Sequence, residues 1–398
     1  MRVITILFIM GILVPSITAK AVTFQEDVDF LSNYVDVVVL ESEDHMAQVA
    51  IVPAYQGRIM TSTASGPDGP SFGWVNRELI ASQKIEAHIN VFGGEDRFWM
   101  GPEGGQFAIF FPEDAPFDLE HWQTPACIDT EPFTLVSKTA TEAVFSYVAT
   151  VANCSGTTFK VKIDRTIRLD ETNPFAEGEE ANIKVVNFVS ENTITNIGDE
   201  PWTKESGLLS IWILGMFNPT PDTTVVIPFR SGAVSELGAK VNDSYFGKVP
   251  EDKLVVKDDV LFFSGDGTCR SKIGIGPKRA GKFLGSYTPT QNALTVVRYN
   301  KPENVNDYVN SMWEIQEKPY GGDVVNSYND GPPAPGKKAL GPFYELETSS
   351  PAAALAPGKS ITHTHRTSHI IADSNILEKI AKQYLGAGLD EINNALPK

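Results

Sequence analysis

The chain has 398 residues, of which 33 are Lys or Arg and 50 are Asp or Glu, so its formal net charge is −17 at pH 7. An acidic surface repels polyanions, and no local cluster of Lys and Arg offsets this repulsion, so we expect no nucleic-acid partner. A chain of this length can bury a large core, and all-β architectures can use more than about 200 residues in one domain.

Residues 1–21 have the pattern of a secretory signal peptide. Arg2 precedes the apolar run Val3–Pro15, and Ala19–Ala21 places small residues where signal peptidase requires them. The apolar run is shorter than the roughly 20 residues of a membrane-spanning helix, and no later segment approaches that length. We therefore expect cleavage of this segment, no membrane insertion, and a mature domain of residues 22–398 that is periplasmic or secreted.

Most of the remaining sequence predicts β-strands, because its apolar segments alternate or run continuously and are rich in Val, Ile, Thr, Phe and Tyr. Helical spacing occurs over Asn375–Tyr384, and a second short helix is predicted over Asn304–Ser311. No internal repeat or long linker divides the chain, which favours a single antiparallel all-β domain. The principal predicted strands are Val35–Leu40, Ala47–Val52, Glu142–Val151, Thr158–Leu169, Ile183–Glu191, Leu294–Tyr299 and Ser360–Ile371.

Three cysteines are present, Cys127, Cys154 and Cys269. In an oxidising compartment two of them are expected to pair. Cys127 and Cys154 flank a segment that predicts two strands and a turn, which would bring its ends together. We therefore predict a disulfide between these two, worth about 3–4 kcal/mol of stability in the chain-entropy model, with Cys269 as a buried thiol.

The segment from His88 to Phe111 contains acids, an arginine, aromatic residues and paired glycines between apolar flanks. Glycine allows positive φ and close approach of another group. Carboxylates and guanidinium groups bind sugar hydroxyls while an aromatic ring covers a sugar's C–H face, so this mixture is typical of a carbohydrate site. The alternative is a glycine-rich turn with a purely structural ion pair. The sugar-binding candidates in this segment are Glu95, Asp96, Arg97, Trp99 and Glu103.

Two other places supply further candidates. His121 and Trp122 offer a proton donor and a stacking platform, or simply pack. Asp323 and Asn326 belong to a polar stretch whose side chains suit sugar hydroxyls, with ordinary turn chemistry as the alternative. Trp212 is assigned to a strand near the core.

Two glutamates, Glu345 and Glu347, stand two positions apart in a predicted strand. Such residues point to the same face, about 6–7 Å apart. Neighbouring carboxylates in a partly dry site disfavour double ionisation, which raises one pKa towards the range that general acid/base catalysis uses. The alternative is a solvated strand face that carries two charges.

The carboxyl-terminal region resembles galactose mutarotases and related aldose 1-epimerases. In that family a Leu-Glu-Thr strand precedes a proline-containing loop, a Leu-x-Pro-Gly turn and a long strand bearing Thr and His. The corresponding elements of this chain are Leu346–Thr348, Pro351, Leu355–Gly358 and Ser360–Ile371. The resemblance covers roughly the last 60 residues, and it extends to uncharacterised exported bacterial proteins of the same superfamily.

This resemblance implies a β-supersandwich of large antiparallel sheets and proton transfer on a sugar without a cofactor. It makes Glu347 the general base at the anomeric hydroxyl, with Glu345 beside it. The family's acid is an upstream histidine, a role compatible with His88 or His121, of which His88 is the preferred candidate. The family's Asn-x-Leu-His-Gly-Gly segment is not found, and His88 lies five residues before Gly93. The expected partner is a mono- or oligosaccharide, and the expected state is a monomer or weak dimer.

Other functions remain open. The same carboxylates suit a glycoside hydrolase or lyase, for which their separation distinguishes retaining from inverting geometry, or the protein binds carbohydrate without catalysis. The predicted strand Ser360–Ile371 has three histidines on one face, His363, His365 and His369, which could ligate a metal. The resemblance instead makes that strand structural, with its histidines at an exposed face. Our preferred interpretation includes no metal. No phosphate loop or dinucleotide fingerprint occurs in the sequence.

Overall fold

The computed structural model describes residues 22–172, 175 and 183–397, so the predicted signal peptide, residues 1–21, lies outside the described residues. The strands are β1 (Val38–Glu41), β2 (Gln48–Val52), β3 (Arg58–Thr63), β4 (Arg97–Gly101), β5 (Thr134–Lys138), β6 (Glu142–Ala152), β7 (Thr158–Leu169), β8 (Lys184–Asn196), β9 (Ser210–Phe217), β10 (Thr224–Pro228), β11 (Leu254–Val256), β12 (Val260–Ser264), β13 (Ser271–Ile275), β14 (Phe283–Thr288), β15 (Ala293–Tyr299), β16 (Val325–Asn329), β17 (Tyr344–Ser349) and β18 (Ser360–Ile371). The helices are α1 (Phe24–Ser32), α2 (Arg77–Ser82), α3 (Val234–Leu237), α4 (Ser374–Leu385) and α5 (Leu389–Asn393).

Two antiparallel sheets form the body of the fold. One has ten strands in the order β11-β12-β10-β14-β15-β18-β8-β7-β6-β5, and the other has five in the order β13-β16-β17-β9-β4. Apolar side chains of β6, β7 and β8 meet those of β4 and β9 in one core, so the smaller sheet packs on the larger one. A third sheet of β1, β2 and β3 continues from β4 through reciprocal hydrogen bonds between Ile59 and Asp96.

The residue pattern of β7 shows how the large sheet arises. Alternate residues such as Phe159, Val161 and Ile163 are fully buried, while Lys160 and Lys162 lie towards solvent. This period of two is that of a strand with one covered face. Burial of each apolar side chain stabilises the fold by about 1.5–3 kcal/mol. This stabilisation fixes the register of the strand.

The carboxyl-terminal helices cover part of the opposite face of the ten-stranded sheet. Ile376, Leu377 and Ile380 of α4 pack against Leu294 of β15 and Ile370 of β18. The predicted helix Asn375–Tyr384 is therefore confirmed, within α4. The principal strands predicted from sequence are also present, with ends that shift by a few residues.

The predicted helix over Asn304–Ser311 is wrong. The backbone N–H of Tyr308 donates to the carbonyl of Tyr320, and the N–H of Asn310 donates to that of Pro319. The segment therefore pairs sideways with residues 319–322 and does not hydrogen-bond to itself, because tertiary pairing outweighs a weak local helical preference.

The predicted disulfide is also wrong, because all three cysteines are free thiols. Cys127 lies in a short 3₁₀ turn, Ala126–Ile128, whereas Cys154 follows β6 and its thiol donates to the Gly105 carbonyl at 3.3 Å. The pairing of β5 with β6 ends at Thr134 and Ser146, so neither cysteine belongs to that hairpin. No helix among the described residues is long and apolar enough to cross a membrane.

Candidate functional site

A cavity of about 200 Å³ lies over the face of the five-stranded sheet that points away from the large sheet. Its floor has a contribution from every strand of that sheet, and loops before and after the strands form its walls. The floor residues are Arg97 and Trp99 from β4, Trp212, Leu214 and Met216 from β9, Lys272 from β13, Tyr328 from β16 and Glu345 from β17. The intervening residues, such as Phe98 and Ile213, are fully buried and point to the opposite face of the sheet by strand alternation.

An ion pair links the two segments that the sequence marked out. Arg97 Nη2 donates to Glu345 Oε1 at 2.9 Å, across 248 positions of the chain. The pair forms because Arg97 lies opposite Leu214 and Glu345 lies opposite Met216, so β9 holds both strands in register. The Arg97 guanidinium also lies over the ring of Trp99, 4.2 Å from its centroid.

Glu347 makes a second ion pair beside the first. Its Oε2 accepts hydrogen bonds from Trp212 Nε1 and Lys272 Nζ, each at 2.9 Å. Its Oε1 has no hydrogen-bond partner in the described part of the chain. Glu347 is wholly buried and does not itself line the cavity, although both of its donors do.

Burial dominates the electrostatics of the carboxyl groups here. It raises the pKa of Glu345 to about 8, with Arg97 opposing the shift and Glu347 reinforcing it. Loss of solvent likewise raises the pKa of Glu103, a partly exposed residue at the cavity wall, against the lowering effect of Lys272. Two cavity carboxyl groups are thus easier to protonate than ordinary glutamates.

A smaller hollow of about 20 Å³ adjoins the cavity and shares Glu103, Trp212 and Lys272 with it. Asp323 and Asn326 lie in this hollow. The Tyr245 hydroxyl donates to Asp323 Oδ2 at 2.6 Å and accepts from Asn326 Nδ2 at 3.1 Å. Burial raises the pKa of Asp323, so this group too is shielded from water.

Two candidates from the glycine-rich segment lie inside the protein and not in the cavity. Glu95 Oε2 lies 2.7 Å from His369 Nε2 and accepts a hydrogen bond from Ser62. Asp96 Oδ1 accepts from Arg165 Nη2 at 2.5 Å. Both acids are fully buried in the space between the sheets, and these contacts account for them as structural groups.

The two upstream histidines lie at the surface. His88 Nδ1 is 2.6 Å from the Trp122 carbonyl oxygen, and His121 Nδ1 is 2.7 Å from Asp118 Oδ1. Neither histidine lines the cavity, whereas the Trp122 side chain does. The geometry therefore gives neither imidazole contact with a ligand in this cavity.

The three histidines of β18 are buried, not at the exposed face that the resemblance implied. His363 Nε2 and His365 Nδ1 each lie 2.8 Å from the hydroxyl of Thr348, while His369 contacts Glu95. Burial lowers the pKa of His363 to about 3 and that of His365 to about 4. Across residues 22–172, 175 and 183–397, no group of three or more metal-ligating side chains is found.

Several cavity residues were not predicted as site residues. Trp212 was assigned to the core, and Arg270, Lys272, Phe246 and Trp313 were not singled out, although all five line the cavity. The sequence could have indicated Arg270 and Lys272, because these two cations stand two positions apart at the start of β13. Their period of two predicts one shared strand face.

Unused hydrogen-bond donors also characterise the cavity. Among residues that line it, Arg97 Nε, Trp99 Nε1 and Trp122 Nε1 are buried and have no acceptor within the described structure. Buried polar atoms are nearly always paired in native proteins. The site therefore suits a ligand rich in oxygen acceptors.

Solved structures share this architecture. A candidate aldose 1-epimerase from Escherichia coli is 12% identical, with a TM-score of 0.51 over 84% of this chain and 98% of that protein. The Slr1438 protein from Synechocystis is 13% identical, with a TM-score of 0.51 over 84% of this chain and 96% of that protein. These similarities show the fold, so the predicted galactose mutarotase-like β-supersandwich is confirmed.

Sequence comparison gives a family but no activity. No curated protein matches the sequence. The model of a family of unknown function, DUF6786, matches residues 22–396, almost all of the chain. The protein therefore belongs to the DUF6786 family.

Proposed function

We propose that the cavity binds a sugar and that its carboxyl groups transfer a proton on that sugar. Aromatic rings cover the C–H faces of sugars, and charged groups bind their hydroxyls. The cavity combines both kinds of group, since Arg97 and Glu345 lie among four indole rings. The four tryptophans that line it are Trp99, Trp122, Trp212 and Trp313.

The observation that carries the catalytic part of the proposal is the state of the two neighbouring glutamates. Glu345 lines the cavity, and its pKa of about 8 leaves it largely protonated at neutral pH, as a general acid requires. Glu347 has Oε2 held by Lys272 and Trp212, while Oε1 has no partner among the residues that the structure describes. A carboxylate with one free oxygen is suited to accept a proton.

We assign the reaction to the class that aldose 1-epimerases perform. Glu347 would remove the proton of the anomeric hydroxyl, which requires that hydroxyl to enter beside Lys272 and Trp212, the two cavity residues that hold Glu347. Glu345 would protonate the ring oxygen, so the ring opens and recloses in either configuration. Glu345 takes the acid's role, for which His88 was the sequence candidate, because Glu345 lines the cavity and is largely protonated at neutral pH, whereas His88 lies at the surface. The fold alone does not supply this reaction, so it depends on these residues.

A second function, sugar binding without catalysis, is favoured by one observation. Glu347 is 0% exposed, and its carboxylate already has a cationic partner in Lys272. In this alternative the carboxylate serves to hold Lys272 and Trp212 in position. The two functions differ in what the loss of Glu347 does to turnover.

The test compares Glu347→Gln and Glu345→Gln with Glu251→Gln, a control at an exposed position. Anomer exchange is followed by NMR across a panel of sugars, and binding by calorimetry. In the catalytic case each site variant slows exchange by about 10²–10⁴-fold while binding the sugar within about threefold of the original protein, and the control is unchanged. Exchange that persists in Glu347→Gln removes that residue from the mechanism. Binding without any exchange in the original protein establishes the second function.

A further inference from the structure

The cavity has the opposite charge balance to the chain as a whole. Of the residues that the structure describes, four cationic and two acidic side chains line it, whereas the chain has a net charge of −17. The cations are Arg97, Arg270, Lys272 and Lys338, and the acids are Glu103 and Glu345. A cleft lined mainly by one sign of charge concentrates ligands of the opposite sign.

Three of the four cations already have a carboxyl partner. Arg97 binds Glu345 at 2.9 Å and Lys272 binds Glu347 at 2.9 Å. Lys338 lies at the exposed rim and contacts Glu78 at 3.1 Å. Only Arg270 is left without a carboxyl group within ion-pair distance, among the residues that the structure describes.

Arg270 is held in position by an aromatic ring and not by an acid. Its guanidinium carbon lies 3.8 Å from the centroid of the Phe246 ring, and both side chains line the cavity. Stacking of this kind orients the planar group and leaves its N–H edges for another acceptor. Arg270 also stands two positions from Lys272, so the two cations face the same side at the start of β13.

The two acids that line the cavity repel a bound anion less than two ionised carboxylates would. Burial raises the pKa of Glu345 to about 8, and loss of solvent raises that of Glu103. Arg97 Nε, Trp99 Nε1 and Trp122 Nε1 add donors that have no acceptor in the described structure. The cavity therefore presents more hydrogen-bond donors than the protein's own acceptors use.

From the unpaired Arg270 beside these unused donors, we propose that the cavity binds an anionic sugar and that Arg270 holds the sugar's charged group. This inference rests on the proposed sugar-binding function and names its substrate class. A guanidinium fork matches a planar carboxylate with two parallel hydrogen bonds, so a uronate is the first choice. A sulfate ester offers similar oxygens on a tetrahedral centre.

The experiment measures dissociation constants by calorimetry for two matched pairs, galacturonate with galactose and glucuronate with glucose. Galactose 6-sulfate, whose charged group is tetrahedral, is measured beside them. We expect each uronate to bind at least about tenfold more tightly than its neutral partner, the scale of one charge-assisted contact. Tighter binding of the sulfate than of galacturonate would assign the charged group to a sulfate ester.

The variant Arg270→Gln tests the residue. It should reduce uronate affinity to that of the neutral sugar while changing neutral-sugar affinity less than about threefold. Arg270→Lys should retain part of the preference, and Arg230→Gln, at an exposed position away from the cavity, should retain all of it. Thermal unfolding of each variant reports whether it folds.

Two negative results have different meanings. Neutral sugars that bind as tightly as uronates, or an Arg270→Gln variant that weakens both equally, would overturn the anionic substrate class and leave sugar binding intact. Failure of every sugar in the panel to bind would instead overturn the proposed function, and this inference with it.

Discussion

Asp96 and Arg97 are consecutive residues, yet they belong to two different charged regions. Asp96 faces the space between the sheets, where its two oxygens bind Arg165 and Ser190. Arg97 faces the cavity, where one nitrogen binds Glu345 and Nε has no acceptor among the described residues. The two ion pairs thus use the same chemistry on opposite faces of one chain segment.

The difference lies in how fully each pair is hydrogen-bonded. Arg165 donates from Nε to the Gly57 carbonyl, from Nη1 to Asn192, and from Nη2 to Asp96. A saturated buried pair of this kind has no capacity for a ligand. Around Arg97 and Glu345, in contrast, some hydrogen-bond donors have no acceptor among the described residues, and the pKa of Glu345 lies far above its usual range. Groups with such shifted pKa values mark functional sites more often than structural ones.

The largest expected effect comes from breaking the saturated pair. Arg165→Met leaves Asp96 buried without its cation, which should reduce the free energy of unfolding by about 3–5 kcal/mol. Arg97→Met should cost markedly less, because the Glu345 carboxyl group at the cavity is already largely neutral at pH 7. Urea denaturation at pH 7 measures both variants. Equal losses for the two would contradict the distinction drawn here between the regions.

A smaller effect is expected in the pH dependence of stability. Burial raises the pKa of Glu345 to about 8, whereas it is near 4.3 in an unfolded chain. The unfolded state therefore releases this proton at lower pH, and stability falls as pH rises from about 4.3 to 8. Relative to Glu345→Gln, the original protein should lose at least about 1.4 kcal/mol over that range, the equivalent of one pKa unit.

Urea denaturation at pH 5 and pH 8 checks this difference. Buried histidines such as His363 add a pH dependence of the opposite sign, but they are present in both proteins and cancel in the comparison. Parallel pH profiles for the two proteins would show that Glu345 titrates like an ordinary glutamate.

The smallest expected effect concerns an aromatic wall of the cavity. Trp313 is partly exposed and lines the cavity, so Trp313→Ala should weaken sugar binding by about fivefold, in line with roughly 1 kcal/mol for an aromatic contact. Its effect on thermal unfolding should be slight. Ile315→Ala is the matched control, since Ile315 is 73% exposed on the same loop and does not line the cavity. Equal affinity for Trp313→Ala and the original protein would remove Trp313 from the sugar site.

Part of the site could be predicted because it depends on local periodicity. Glu345 and Glu347 were expected on one strand face, and both make ion pairs at or next to the cavity. Arg97, Trp99, Glu103 and their glycine-rich segment were singled out by composition, and all three side chains line the cavity.

The rest depended on contacts between distant segments. By residue type, Glu95 and His88 are as suitable for a sugar site as Arg97 is. However, Glu95 points inward to His369, and His88 lies at the surface. Arg270 and Trp313 lie on segments that no local pattern connects with β17. Only the arrangement of the strands brings these side chains to one cavity.

The sequence by itself determined the strand-rich class, most strand positions, the carboxyl-terminal helix and the shared face of the two glutamates, because side-chain alternation and helical spacing are local properties. Tertiary structure decided which of two adjacent charged residues is buried in the core, which cations remain unpaired, and that the cysteines stay apart. Those outcomes depend on pairing between residues as many as 260 positions apart and on burial, which sets pKa values and hydrogen-bond saturation. Neither quantity is encoded in any short stretch of the chain.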